Sequence, residues 1–177
     1  MNIVGVITSC LLLLMYIIAI YTDVKFRKIK NWLTLPLILL GFIGSVYQNG
    51  LWSTVVFTIA LVVLSIICMM IPIWAAGDTK LYIAGGLLTS IIVQSNSIIS
   101  ATGILLIIVI LHLGIGHFIW LKRLNFNIFS YIREITHSIL VRQSKDQKEK
   151  EVIAILPGAI AIAVGNLAYI GAILINL

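Results

Sequence analysis

The chain has 177 residues, of which 61% are hydrophobic and only 10% are charged. This apolar share is well above that of water-soluble domains, so the composition excludes a soluble enzyme and favours a polytopic membrane protein. The net charge of +6 would suit a nucleic-acid partner, but eleven of the twelve Lys and Arg residues lie in two stretches, 25–30 and 122–150. Basic loops on one face of a membrane explain this placement, so no nucleic-acid partner is predicted.

The first predicted element is an apolar helix over residues 3–21, close to the roughly 20 residues needed to cross a bilayer. No Lys or Arg precedes it, whereas a basic cluster, residues 25–30, follows it. A cleavable signal peptide has the opposite order of charge and apolar residues. The segment is therefore predicted to be a retained first helix with its N-terminus outside.

Five further spans are predicted, at residues 31–47, 53–74, 78–96, 98–120 and 152–176. Pro36 should kink or begin the second helix. The fourth is short and contains Gly85 and Gly86, but counting it as a crossing places all basic stretches on the same face. The expectation is a single all-α domain, residues 1–177, built as a bundle of six transmembrane helices.

The loop between the last two spans, residues 121–151, is predicted to be cytoplasmic. Ile128, Ile132, Ile135 and Ile139 recur there at helical spacing, which indicates an amphipathic helix lying in the inner interface. A solvated connector is favoured over a lid that gates substrate. Aromatic belts should mark both interfaces, with Tyr21, Trp32, Trp74 and Trp120 inside and Tyr47 and Trp52 outside.

Two carboxylates, Asp23 and Asp78, are the candidates for chemistry. Both are predicted at the inner ends of helices, at the same depth and on the same face. Two carboxylates a few ångströms apart share a proton, so that one serves as general base and the other as general acid. Structural roles are open for both residues, since Asp78 could cap a helix and Asp23 could pair with Lys25 or Arg27.

Other reactive side chains give weaker signals. His112 and His117 are five residues apart, on different faces of a predicted helix, so one metal ion cannot easily bind both. Cys10 and Cys68 lie in apolar runs without a Cys-x-x-Cys pair and are interpreted as small buried hydrophobic residues. No metal site and no cofactor are predicted.

Two stretches carry a resemblance to prepilin peptidases. Residues 23–36, DVKFRKIKNWLTLP, resemble the first catalytic motif of that family, an Asp followed by basic residues, Ile-Pro-Asn and a Leu-Thr-Leu-Pro-like helix. Residues 75–81, AAGDTKL, resemble the second motif, Gly-x-Gly-Asp-x-Lys-Leu, typical of GxGD membrane aspartyl proteases. Ala75 replaces the first Gly and Lys30 replaces the Pro before Asn31. Residues 157–161, PGAIA, are similar to a third, looser element.

The resemblance implies a type IV prepilin or preflagellin leader peptidase in its short, peptidase-only form. Such an enzyme is an aspartic endopeptidase of the prokaryotic plasma membrane. It would use Asp23 and Asp78, without a cofactor, to remove a short basic leader from a pilin-like precursor at the cytoplasmic face. Its partners would be that precursor and the lipid bilayer; the oligomeric state is not predicted. The alternative is a small transporter or assembly subunit whose carboxylates handle protons or a cation.

Overall fold

The computed structural model describes residues 3–26, 28–70, 76–95, 97–123, 127–130, 133 and 158–175. Across these residues all the regular structure is helical, which confirms the all-α prediction. The long helices are α1 (Ile3–Phe26), α2 (Asn31–Asn49), α3 (Leu51–Met70), α4 (Ala76–Val93), α5 (Ile98–Arg123) and α6 (Gly158–Ile175).

Four of these helices, α1, α2, α3 and α6, are long and apolar enough to cross a membrane, and α5 contributes a shorter apolar segment, Ile98–Leu111. Large apolar side chains on α1, such as Ile3 and Ile17, are exposed on the bundle surface, as expected where lipid is the solvent. The fourth helix does not reach the same hydropathy because it begins with a polar turn and contains two glycines. Four crossings are thus supported by length and composition, and six remain a prediction.

Two helix boundaries differ from those predicted in ways that affect the candidate carboxylates. Helix α1 continues to Phe26 rather than ending at residue 21, so Asp23 lies within the helix near its end. Helix α4 begins at Ala76, so Asp78 is its third residue and lies inside the first turn. The capping position is the residue before a helix. The capping role considered for Asp78 is therefore wrong.

The other described boundaries also shift, but not at a candidate carboxylate. Helix α2 begins at Asn31 and continues through Pro36, α3 begins two residues early at Leu51, and α5 extends to Arg123. Residues 71–75 and 152–157 lie outside the described residues, and so do Ile132, Ile135 and Ile139 of the predicted amphipathic helix. Of that stretch only residues 128–130 and 133 are described, and they are helical. The same limit applies to Trp74 and to the side chains of His112, His117 and Trp120.

Helix α4 lies at the centre of the bundle and packs against α1, α2, α3 and α6. From Leu81 to Ile92 its residues are buried, apart from the half-buried Ile83. A side chain at Gly86 would meet Leu61 of α3 at 2.8 Å, so the missing side chain lets the two helices approach closely.

The two ends of the bundle are marked by exposed aromatic side chains. Tyr21 and Trp32 lie at the end that carries Asp23, and Tyr47 and Trp52 lie at the opposite end, all exposed. Such rings favour membrane interfaces because they combine an apolar body with a polar edge. Their placement agrees with the predicted aromatic belts.

Candidate active site

Asp23 is held by a residue far away in the sequence. Its carboxylate is buried, with 9% of the residue exposed, and Oδ2 accepts a hydrogen bond of 3.1 Å from the backbone N–H of Ala159. Ala159 is the second residue of α6. The first N–H groups of a helix have no partner within the helix, so a carboxylate satisfies one of them and is stabilised by the helix dipole.

Asp78 lies against Gly158, the residue directly before Ala159 in the first turn of α6. It too is buried, with 9% exposed, and its carboxylate packs directly on Gly158, where an added Cβ would overlap Oδ1 and Cγ. Only glycine leaves room for the carboxylate here without moving a backbone. The start of α6 therefore has to be free of side-chain bulk where it meets α4.

The two carboxylates consequently share one location. The end of α1, the start of α4 and the start of α6 converge, and Asp23 and Asp78 contact two consecutive residues, Ala159 and Gly158. The two carboxylates, expected at the inner ends of helices on one face, thus lie together at one end of the bundle.

The two sequence motifs are also joined to each other by contacts outside the carboxylates. A Cβ at Gly77 would lie 3.1 Å from Cβ of Ile29, so the segment before α2 packs closely on the start of α4. Lys80 Nζ donates a 2.8 Å hydrogen bond to Asn31 Oδ1. Sequence reasoning identified both motifs but missed this bond, because nothing in either stretch indicates which residues face each other.

One of the two candidate ionic partners of Asp23, Lys25, is directed at other side chains. Lys25 Nζ donates to the Tyr21 hydroxyl at 3.0 Å and lies 5.3 Å from the centroids of the Tyr21 and Phe26 rings. Lys25 is thus directed at aromatic side chains of its own helix. Arg27, the other candidate, lies outside the described residues.

The sequence contains only a weak indication that α6 contributes to the site. The stretch containing Gly158 and Ala159 resembled a loose third element, but no pattern indicated that it touches either carboxylate. Within the described ranges no three His, Cys, Asp or Glu side chains cluster closely enough to form a metal site.

Comparison with known proteins bears on the first two motifs. A model of the type IV leader peptidase family matches residues 10–121, a range that contains both Asp23 and Asp78. No curated protein and no solved structure matches the chain. The family match covers more than half of the sequence and agrees with the motifs read from residues 23–36 and 75–81. The chain therefore belongs to the type IV leader peptidase family.

Proposed function

We propose that this protein is a membrane aspartic endopeptidase that removes the short basic leader from pilin-like or preflagellin-like precursors. Family membership supports peptidase activity. The observation that carries the aspartic mechanism is the convergence of Asp23 and Asp78 on one turn of α6.

The chemistry follows from two carboxylates that share a proton. The ionised one removes a proton from a water molecule, whose oxygen attacks the carbonyl carbon of the scissile bond. The protonated one donates to the carbonyl oxygen. When the resulting tetrahedral intermediate collapses, the carbon–nitrogen bond breaks and the leaving nitrogen takes the proton that the base accepted from water. One hydroxyl of the intermediate returns its proton to the carboxylate that had donated to the carbonyl oxygen. The carboxylates return to one shared proton, so no further reactant is needed.

The position of the carboxylates supports a protease over a transporter. Asp23 lies near the end of α1 and Asp78 in the first turn of α4. Both are therefore at one end of the bundle and away from its middle. A carboxylate that relays ions across a membrane is typically found near the midplane.

We infer that this end of the bundle faces the cytoplasm of a prokaryotic cell. Lys25, Lys28, Lys30 and Lys80 lie at the same end as the carboxylates, as the positive-inside rule requires of a cytoplasmic face. With six crossings, reporter fusions at Gln48, Ser97 and Leu177 should read as external and one at Gln147 as internal. An external signal at Gln147 would overturn the orientation.

Co-expression with a pilin-like precursor tests the activity. The precursor should lose its leader, seen as a mobility shift on a gel and as a new N-terminus by mass spectrometry. The double variant Asp23→Asn/Asp78→Asn should leave the precursor intact, while Asp146→Asn, which removes a carboxylate from the polar loop, should not affect processing. Processing that persists in the double variant at matched expression would refute the proposal.

A further inference from the structure

A second polar group of side chains lies deeper in the same helices. We define the polar layer as Tyr16 on α1, Gly85 and Thr89 on α4, and Asn166 on α6. Tyr16 has 2% of its surface exposed, and Thr89 and Asn166 have none. Polar side chains among membrane helices are costly and typically functional, so a fully buried group of them calls for a reason.

Contacts within the polar layer join three helices. Thr89 Oγ1 donates to Asn166 Oδ1 at 3.2 Å, and Asn166 Nδ2 donates to the Ile162 carbonyl of its own helix at 3.1 Å. The Tyr16 hydroxyl occupies the notch left by Gly85, where a Cβ would overlap it and would lie 3.3 Å from Asn166 Nδ2. Helix α4 is thus bonded to α6 through Thr89 and fitted to α1 through Gly85.

The layer has a regular relation to the carboxylates. Tyr16 precedes Asp23 by seven residues, Gly85 follows Asp78 by seven, and Asn166 follows Ala159 by seven. Seven residues are two helical turns, which returns to the same face about 10 Å along the axis. Because α1 runs towards the site while α4 and α6 run away from it, all three displacements point into the bundle. Tyr16, Gly85 and Asn166 therefore lie beneath the carboxylates on the same three helix faces, and Thr89 lies one turn deeper on α4.

We propose that Thr89 and Asn166 are positioning residues for the carboxylate pair. Their hydrogen bond and the Tyr16–Gly85 fit set the axial register of α1, α4 and α6. A slip of one residue moves a helix by about 1.5 Å. Acid–base catalysis through a shared water tolerates less than that, and a misplacement of about 1 Å lowers rates about a hundredfold. This inference rests on the proposed function for its catalytic consequence, but its geometric consequence can be measured separately.

The geometric arm uses chemical cross-linking. In a background with Cys10→Ala and Cys68→Ala, the pair Asp23→Cys and Asp78→Cys is treated in membranes with a short bifunctional thiol reagent. A protease recognition site is inserted in the turn at Gly50, between the two cysteines. Cleavage there separates the two parts of the chain unless the cross-link holds them together. Thr89→Val or Asn166→Leu should lower the linked fraction at least threefold, whereas Thr89→Ser, which keeps the hydroxyl, should restore it.

The matched control is Thr58→Val on α3, whose hydroxyl bonds only the Thr54 carbonyl of its own helix in the described contacts. It should leave the linked fraction unchanged. In the kinetic arm, with both Asp residues present, Thr89→Val and Asn166→Leu should lower kcat for precursor cleavage about tenfold with KM unchanged. A purely structural role would instead reduce the amount of folded protein and leave kcat per folded molecule intact.

The two arms separate the possible failures. A linked fraction in Thr89→Val and Asn166→Leu equal to that of Thr58→Val would overturn the positioning role and leave the proposed peptidase standing. Reduced linkage in a protein that processes no pilin-like precursor would refute the peptidase and uphold the register role. No linkage even with the layer intact would overturn both.

Discussion

Two hydrogen-bonded clusters lie at opposite ends of α4, and they differ in kind. At one end Asp23 and Asp78 contact Ala159 and Gly158. At the other, the hydroxyl cluster consists of Ser45, Thr54 and Ser90, all essentially without exposed surface. Ser45 Oγ lies 3.2 Å from Thr54 Oγ1 and 3.1 Å from Ser90 Oγ.

The hydroxyl cluster is neutral and satisfies itself within the protein. Ser90 donates its proton to the Leu87 carbonyl at 2.7 Å, and Thr54 donates its own to the Gly50 carbonyl at 2.8 Å, so Ser45 is the donor within the cluster. Each hydroxyl can donate and accept, so such a group joins α2, α3 and α4 without any other molecule. Ionised carboxylates only accept hydrogen bonds, and at the other end of α4 Asp23 accepts one from a backbone N–H group of α6. The comparison indicates that the hydroxyl cluster serves packing, whereas the carboxylate end suits the proton exchange of the proposed function.

The largest effect should come from removing a carboxylate. Asp23→Asn or Asp78→Asn should lower precursor cleavage at least about a thousandfold, because Asn keeps the shape but cannot exchange a proton. The double variant should be no worse than either single one, since the pair acts as a unit. Rates are measured on purified protein at matched folded concentration. Substantial cleavage by either single variant would contradict the dyad.

A smaller loss is expected from Gly158→Ala. The added methyl would displace the Asp78 carboxylate, and a shift of about 1 Å should cost about a hundredfold in cleavage rate. Gly171→Ala, on the same helix with nothing near the added Cβ, is the matched control and should retain full activity. Equal rates for the two variants would show that the start of α6 does not constrain the site.

Substitutions in the hydroxyl cluster should lower the stability of the protein and leave its cleavage rate unchanged. Ser90→Ala removes an interhelical hydrogen bond and should lower the free energy of unfolding by about 1 kcal/mol, while cleavage per folded molecule stays unchanged. Ser9→Ala, whose hydroxyl bonds the Gly5 carbonyl of its own helix, should have a smaller effect. Thermal unfolding in detergent gives the comparison. A fall in specific activity without a fall in stability would erase the distinction between the two clusters.

The smallest effect is expected at the bond between the two motifs. Lys80→Met keeps the alkyl chain but removes the donor to Asn31, a bond exposed to solvent. Cleavage should fall about threefold, in line with the modest net value of one such hydrogen bond. Lys28→Met, which removes an exposed charge, is the control. A large loss specific to Lys80→Met would mean that its ammonium group takes a direct part in binding or chemistry.

The helices and the two carboxylates could be predicted from the sequence because hydropathy and charge asymmetry are local signals. Helix ends were less accessible: the apolar run stops at Tyr21, but α1 continues past Asp23 to Phe26. The contact of Ala159 with Asp23 spans 136 residues, and nothing at either position indicates the other. The low hydropathy of α4 made it hard to interpret as a crossing. Its enclosure by four other helices explains why it can be less apolar, but that enclosure is a property of the fold and is not visible in the sequence of α4 alone.

That 136-residue separation also has a consequence for biogenesis. A ribosome adding about 5–20 residues per second needs roughly 7–30 s to pass from Asp23 to Ala159. During this interval Asp23 and Asp78 can already be in the membrane, while the turn that touches them has not been made. The nascent chain thus passes through a stage in which both acids exist without the support of α6. Completion of the last described helix is therefore the step that turns a set of membrane segments into a finished site.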